Sequence, residues 1–325
     1  MDRFRVVVTA PIHSEALDLL RKEADVHIFE KPPTEDELIE SVRGADAILV
    51  TLNVERVSRR VIESASRLRV IARHGVGYDN VDVEAATERG VWVTITPVLH
   101  ETVADMAFSH ILCLARNICK ASQYVKSRSW KIRDPFVFAG VDVWGKVIGI
   151  IGLGRIGAAI AKRAKGFSMK ILYYDIVRKP SLEIELEAKY RSLMDLLRES
   201  DFVVVSCPLT EHTRGMIGED ELKLMKPTAI LINIARGPIV DHDALVRALR
   251  EGWIAGAGLD VFWQEPLPLD DPLLDLDNVI LTPHIASNTI ECRRRMALTA
   301  VEEILRVLHG EKPRYPVNDV SRKPN

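Results

Sequence analysis

Short runs of β-branched and aliphatic residues alternate with helical segments almost throughout the chain. Residues 5–10 (RVVVTA), 47–50 (AILV), 69–72 (RVIA) and 91–95 (VWVTI) read as strands. Residues 14–22 read as a helix with Leu17, Leu19 and Leu20 on one side, and residues 34–43 open with Thr34 and Glu37 at capping-box spacing. Residues 58–66 and 82–89 complete the first series of helices. Strands that are apolar throughout, set between helices, predict a parallel sheet covered on both faces.

Residues 99–128 read as one long helical segment with apolar positions at Met106, Phe108, Ile111, Leu112, Leu114 and Ile118. Two readings stand for it: packing on its own domain, or a subunit interface, since enzymes of this size are often symmetric dimers. From residue 146 the alternation restarts with KVIGIIG, KILYYD, DFVVVSCP, AILINIA, AGAGLDVF and NVILTPH as strands. RIGAAIAKRAKGF, SLMDLLRES and DHDALVRALREG read as helices between them. A last helix over about 288–309, opened by Asn288 and Glu291 at capping spacing, ends near Gly310. The first sheet has few strands, so this helix is expected to return to it. That makes the first domain discontinuous, 1–98 with 288–325, around a second domain at 99–287. The proline-rich tail from 311 is expected to lie over the surface or to be partly disordered.

Composition narrows the class. The 325 residues are 47% hydrophobic and 28% charged, with a formal net charge of −2. That near-balance argues against nucleic-acid binding and against attraction to an anionic membrane. No apolar stretch approaches the roughly 18 residues of a membrane span, and the first residues have no signal-peptide layout. The four cysteines (Cys113, Cys119, Cys207, Cys292) form no CxxC and have no His at zinc spacing. The expectation is a reduced, cytoplasmic, enzyme-sized protein without a metal site.

Gly152-Leu153-Gly154-Arg155-Ile156-Gly157 matches GxGxxG between a strand and a helix, and Asp175 closes the next strand. In that setting Gly152 makes the tight turn and Gly154 lets backbone N–H groups reach a pyrophosphate at the helix N-terminus. Gly157 lets the helix lie close to the sheet, and the Asp175 carboxylate suits a ribose 2′-hydroxyl. A 2′-phosphate there meets like charge, so NAD is favoured over NADP; Arg178 and Lys179 just beyond soften that preference. Three further polar residues stand at strand ends: Arg236 after LINIA, Glu265 after LDVFWQ, His284 after VILTP. An Arg can hold a carboxylate through paired hydrogen bonds, a His can exchange a proton near neutral pH, and a carboxylate can orient that His. Taken singly, each has an ordinary alternative as a surface cation, a turn charge or a satisfied histidine.

GLGRIG with YYD, then NIARGPIVD, GLDVFWQEP and LTPHIAS, together with HGVGYDNVD at 74–82, resemble the D-isomer-specific 2-hydroxyacid dehydrogenases. The resemblance covers essentially the whole chain. It implies an α/β fold of two Rossmann/flavodoxin-like lobes with parallel sheets and a cleft between them, dimeric through the cofactor domain. It implies that Arg236 binds the carboxylate and carbonyl oxygen of a small 2-keto or 2-hydroxy acid, that His284 is the general acid in reduction, and that Glu265 pairs with it. The Val76-Gly77 backbone would hold the substrate carboxylate. Cys207, Ile234, Ala235 and Asp260 would line the nicotinamide and ribose, and Thr102 and Ser287 would complete the site. Formate dehydrogenases carry Gln where Glu265 stands, and phosphite dehydrogenases carry Lys where Val76 stands. Phosphoglycerate dehydrogenases commonly have an Arg near Leu52, although Arg73 and His74 keep phosphate binding open. The run as a whole is most similar to archaeal-type glyoxylate/hydroxypyruvate reductases, which often have a Ser–Arg pair in place of Asp175-Ile176. NADH-dependent reduction of glyoxylate or hydroxypyruvate is therefore the leading expectation. D-3-phosphoglycerate dehydrogenase and an NADH-sensing binding scaffold are the alternatives.

Overall fold

A computed structural model of the chain describes residues 3–52 and 54–320. The residues divide into two units, Met1–Leu99 with Asn288–Asn325, and His100–Ser287.

The first unit holds strands β1 (Phe4–Val8), β2 (Ala24–Ile28), β3 (Ala47–Val50), β4 (Val70–Arg73) and β5 (Trp92–Thr94). Its helices so far are α1 (Ser14–Glu23), α2 (Glu35–Val42), α3 (Arg59–Ser64) and α4 (Val83–Glu88). The strands are all parallel in the order β2-β1-β3-β4-β5, the flavodoxin-like order. Alternation along the buried strands explains the two cores. Val7, Ile48 and Ile71 point to one face, against Leu38 of α2, Val61 and Ile62 of α3 and Ala85 of α4. Val6, Val8 and Leu49 point to the other, against Ala16 and Leu20 of α1. Strand β2, at the sheet edge, is an addition to the sequence reading; ADVHI carries too little apolar character to announce it.

The second unit opens with α5 (His100–Ala115) and α6 (Ile118–Lys126). The single helix expected over 99–128 is thus two. Asn117 between them has φ +50°, and a residue in that left-handed conformation interrupts the helical hydrogen-bond ladder. Helix α5 packs on its own unit: Gly258 lies so near that an added Cβ would stand 2.8 Å from His110 Cβ. Helix α6 buries none of its residues.

The second sheet has β6 (Val147–Ile151), β7 (Lys170–Tyr174), β8 (Lys189–Tyr190), β9 (Phe202–Val205), β10 (Ile230–Asn233), β11 (Gly256–Leu259) and β12 (Val279–Leu281). Helices α7 (Arg155–Gly166), α8 (Pro180–Leu186), α9 (Leu193–Glu199), α10 (Glu219–Leu224) and α11 (His242–Glu251) alternate with them. The parallel order β12-β11-β10-β9-β6-β7-β8 reverses direction between β6 and β9, which is the Rossmann switch point with one strand added at the end. Leu197, Leu222, Leu245 and Leu249 cover one face through Val203, Leu231 and Leu259.

The last helix, α12 (Ile290–Leu308), returns to the first sheet, where Ala300, Val301 and Ile304 join the α1 face. Its cap is Thr289, whose hydroxyl accepts from Cys292 N–H, and not Asn288. The tail after it is pinned through residue 318. Val317 N–H donates to Val93 O at 2.9 Å, and Asn318 Oδ1 accepts from Val93 N–H at 2.8 Å, so the tail covers the exposed edge of β5. The part of the expected tail at 321–325 lies outside the described residues.

Candidate active site

The glycine loop joins β6 to α7 at the switch point of the second sheet. Gly152 takes φ +95°, and a Cβ there would meet Cys207 N at 2.8 Å. A Cβ on Gly157 would stand 2.1 Å from Gly152 O, so only glycine lets α7 start this close to the strand. Gly154 is the N-cap of α7 with no side-chain cap, and a Cβ on it would meet open space. The first N–H groups of α7, from Arg155 and Ile156 onward, therefore lie under an open approach. That arrangement fits a pyrophosphate.

Asp175 follows β7. Its carboxylate accepts from Leu153 N–H at 3.0 Å and Val177 N–H at 3.3 Å, which sets it against the glycine loop. Arg178, the basic residue thought available to a 2′-phosphate, is forked onto Glu183 at 2.7 and 2.9 Å. Those bonds, joined by the Tyr173 hydroxyl, hold the Glu183 carboxyl down at about 2. Cys207 lies against Gly152, and burial pushes its thiol up to about 11.

Arg236, Glu265 and His284 follow β10, β11 and β12, three neighbouring strands that all end on the same side of a parallel sheet. The buried Asn233 shapes the first turn, accepting from Ala235 N–H and donating to Arg236 O. Gly237 lets that turn touch the next loop; a Cβ there would be 2.1 Å from Phe262 C. Phe262 N–H in turn donates to Glu265 Oε1 at 3.1 Å. The peptide Glu265-Pro266 is cis.

Glu265 Oε2 accepts from His284 Nδ1–H at 2.7 Å. Burial raises the Glu265 carboxyl, but the His284 hydrogen bond and charge, the Phe262 N–H and the Arg236 charge together hold it below the usual carboxylate range. His284 itself has φ +52°, a conformation worth roughly 1–3 kcal/mol of strain in a non-glycine residue. Asp260 holds it there. This fully buried carboxylate accepts from Thr282 Oγ1–H at 2.6 Å, Ile285 N–H at 2.9 Å and Ala286 N–H at 2.7 Å. The Thr282 hydroxyl spends its one proton on Asp260, so it accepts from His110 Nε2–H at 3.0 Å.

The structure thus brings Glu265 and His284 together, sets Arg236 near enough for its charge to act on Glu265, and sets Gly152, Cys207 and Asp175 around one loop. The Asp260 carboxylate, at the end of β11, is bonded to the Thr282 hydroxyl and to the 285–286 backbone. Ile234 is buried and Ala235 half-buried at the end of β10; Thr102 is buried in the first turn of α5; Ser287 follows the Asp260-held segment. Val76 and Gly77 follow β4 in the other unit, and among the described residues neither of their N–H groups has a hydrogen-bond partner. Sequence reasoning missed Asn233, Gly237, Thr282 and His110. Only the adjacency of Asn233 and Thr282 to strand ends marked them.

An open parallel sheet with a glycine loop at its switch point and an acid–base pair at neighbouring strand ends defines a dinucleotide-dependent oxidoreductase. The profile of the D-isomer specific 2-hydroxyacid dehydrogenase NAD binding domain matches residues 108–286. A glyoxylate reductase of Korarchaeum cryptofilum is 49% identical over 97% of this chain and 96% of its own. One from Thermococcus gammatolerans is 50% identical over 97% and 96%. A solved structure from Thermus thermophilus, 43% identical, superposes with a TM-score of 0.90 over 97% of this chain and 100% of that one. An NADPH-dependent glyoxylate/hydroxypyruvate reductase from Sinorhizobium meliloti, solved with NADP and malonate, is 32% identical with a TM-score of 0.87, covering 100% and 99%. The chain belongs to the D-isomer specific 2-hydroxyacid dehydrogenase family. Among the described residues, no helix is long and apolar enough to cross a membrane.

Proposed function

We propose that this protein reduces a small unphosphorylated 2-keto acid, glyoxylate or hydroxypyruvate, with NADH, and that His284 is the proton donor. The observation that carries this is the His284–Glu265 pair, held at 2.7 Å on a strained backbone in the same unit as the glycine loop. A reduced nicotinamide, when bound, supplies the hydride. The chain's residues do the rest. Arg236 holds the substrate carboxylate and carbonyl oxygen and stabilises the charge that grows on that oxygen. His284, oriented through Nδ1 by Glu265, gives the oxygen its proton from Nε2. The N–H groups of Val76 and Gly77 receive the carboxylate. In the reverse direction His284 takes the proton back.

Gly152, Gly154, Arg155, Ile156 and Gly157 receive the pyrophosphate, and Asp175 receives the adenosine ribose. NADH is preferred because Asp175 repels a 2′-phosphate and Arg178 is already engaged by Glu183. The Sinorhizobium relative is NADPH-dependent, so the assay compares both cofactors. Phosphorylated substrates are disfavoured because Leu52 offers no cation and Arg73, 2% exposed, is committed to backbone carbonyls. A homodimer forms through the 99–128 region, where α6 and the segment after it offer the free surface. Helix α6 buries nothing, and Trp130, Ile132, Phe136 and Trp144 stand exposed. The substrate domain is the unit of 1–98 with 288–325, and the compartment is the cytoplasm.

The test is a panel of glyoxylate, hydroxypyruvate and 3-phosphohydroxypyruvate, each assayed by loss of NADH and NADPH absorbance. The unphosphorylated acids with NADH should give the highest kcat/KM. A preference for 3-phosphohydroxypyruvate contradicts the substrate assignment.

A further inference from the structure

Two buried side chains of opposite charge, outside the His284 centre, converge on a single residue of the first unit. Arg73 ends β4 and is 2% exposed. Its Nε–H donates to Gly77 O at 2.9 Å, and its Nη1 donates to Val50 O at 3.0 Å and Leu52 O at 2.5 Å. Glu55 is 1% exposed. Its Oε1 accepts from Thr9 Oγ1–H at 2.7 Å and Thr51 Oγ1–H at 3.1 Å, and Leu52 N–H donates to both carboxylate oxygens at 3.2 and 3.1 Å. Leu52 is therefore gripped at both backbone groups, its carbonyl by a guanidinium and its N–H by a carboxylate. Asn80 Nδ2 adds a bond to Glu55 O at 2.6 Å.

The placement matters. Thr9 follows β1 and Thr51 follows β3, the neighbours between which the first sheet's strand order reverses. Ligands of open parallel sheets bind outside the strand ends at such a reversal. Burying a charge is costly unless it is hydrogen-bonded, and the Arg73 guanidinium bonds carbonyls on both sides of it in the chain, Val50 and Leu52 on one and Gly77 on the other. What the guanidinium fork does provide is one rigid tie between two separate loops, 50–52 and 75–77. Those loops carry the Leu52 side chain and the Val76 and Gly77 N–H groups.

We propose that Arg73 and Glu55 are positioning residues for the substrate. They lock the two loops into one preformed edge that meets the 2-keto acid carboxylate without having to be ordered on binding. This rests on the reading that Val76 and Gly77 receive that carboxylate.

The test compares Arg73→Met, Arg73→Lys, Glu55→Gln and Val76→Pro in the full-length enzyme, with KM and kcat for glyoxylate, NADH binding by fluorescence, and melting temperature. Loss of the tie should raise KM in Arg73→Met by up to about 100-fold while kcat stays within a few-fold and NADH affinity is unchanged. Arg73→Lys, which keeps the charge but not the fork, should recover part of the KM. A folded, NADH-binding Arg73→Met with wild-type KM overturns the proposal and leaves Arg73 a purely structural residue. If Arg73→Met does not fold, Glu55→Gln decides. A raised KM at wild-type kcat supports the tie, and an unchanged KM overturns it. Val76→Pro removes one N–H at the loop itself. If it leaves KM unchanged, the carboxylate reading fails and the inference falls with it. If it raises KM while Arg73→Met does not, the inference alone falls.

Discussion

His284 Nδ1 and Glu265 Oε2 stand 2.7 Å apart, although the residues arrive from the ends of different strands and His284 holds φ +52°. A strained residue persists only where its surroundings over-determine it. Here Glu265 holds the ring and Asp260 holds the following two N–H groups.

The pair makes a pH prediction with a definite sign. The Glu265 carboxyl is raised by burial but lowered further by the His284 hydrogen bond and charge, so it is ionised at neutral pH. That charge lies 2.7 Å from Nδ1 of the imidazole whose Nε2 gives up the proton in reduction. Glu265→Gln keeps the shape and loses the charge, so the alkaline limb of kcat/KM for glyoxylate reduction should move to lower pH. A limb that stays in place would show that Glu265 does not support the imidazolium.

Asp260→Asn should act at a distance from the chemistry. An amide replaces one acceptor oxygen with a donor, and the site offers it only the Thr282 hydroxyl and the Ile285 and Ala286 N–H groups, which are donors too. The cost should be about 1–3 kcal/mol of stability by denaturant titration, with a fall in kcat as the His284 segment relaxes. Wild-type stability and kcat would show that the segment holds itself.

Asp175→Ala should narrow the gap between NADH and NADPH, chiefly through weaker NADH binding, because the ribose partner and the repulsive charge vanish together. Titration of both cofactors by fluorescence checks this. A wild type with equal or better kcat/KM on NADPH contradicts the assignment of Asp175.

Trp130→Ser with Ile132→Asp should convert a dimer to monomers in sedimentation velocity. Both side chains are mostly exposed in the isolated chain, and a charge at a dry interface carries a large desolvation penalty. A wild type that sediments as a monomer, or a variant still dimeric, removes this segment from the interface.

The features legible in the sequence are those where backbone geometry dictates residue type. GLGRIG could be read because Gly152 and Gly157 admit no Cβ, and Arg236, Glu265 and His284 because each stands within a few residues of the end of an apolar run. The rest depended on contacts distant along the chain. Nothing local shows that Arg73 folds back onto Leu52, or that Asp260 bonds the Ile285 and Ala286 N–H groups. The break at Asn117 was hidden because the apolar pattern of α5 continues past it to Ile118. The grip of Asn318 on Val93 was hidden because a proline-rich tail looks the same whether it is pinned or loose.

The most direct test of the account is His284→Ala, measured for glyoxylate turnover and NADH affinity in the same preparation. The account predicts a loss of at least about 10²–10⁴-fold in kcat with NADH affinity close to wild type. Near-normal turnover with intact NADH binding would contradict it and send the search for the proton donor elsewhere.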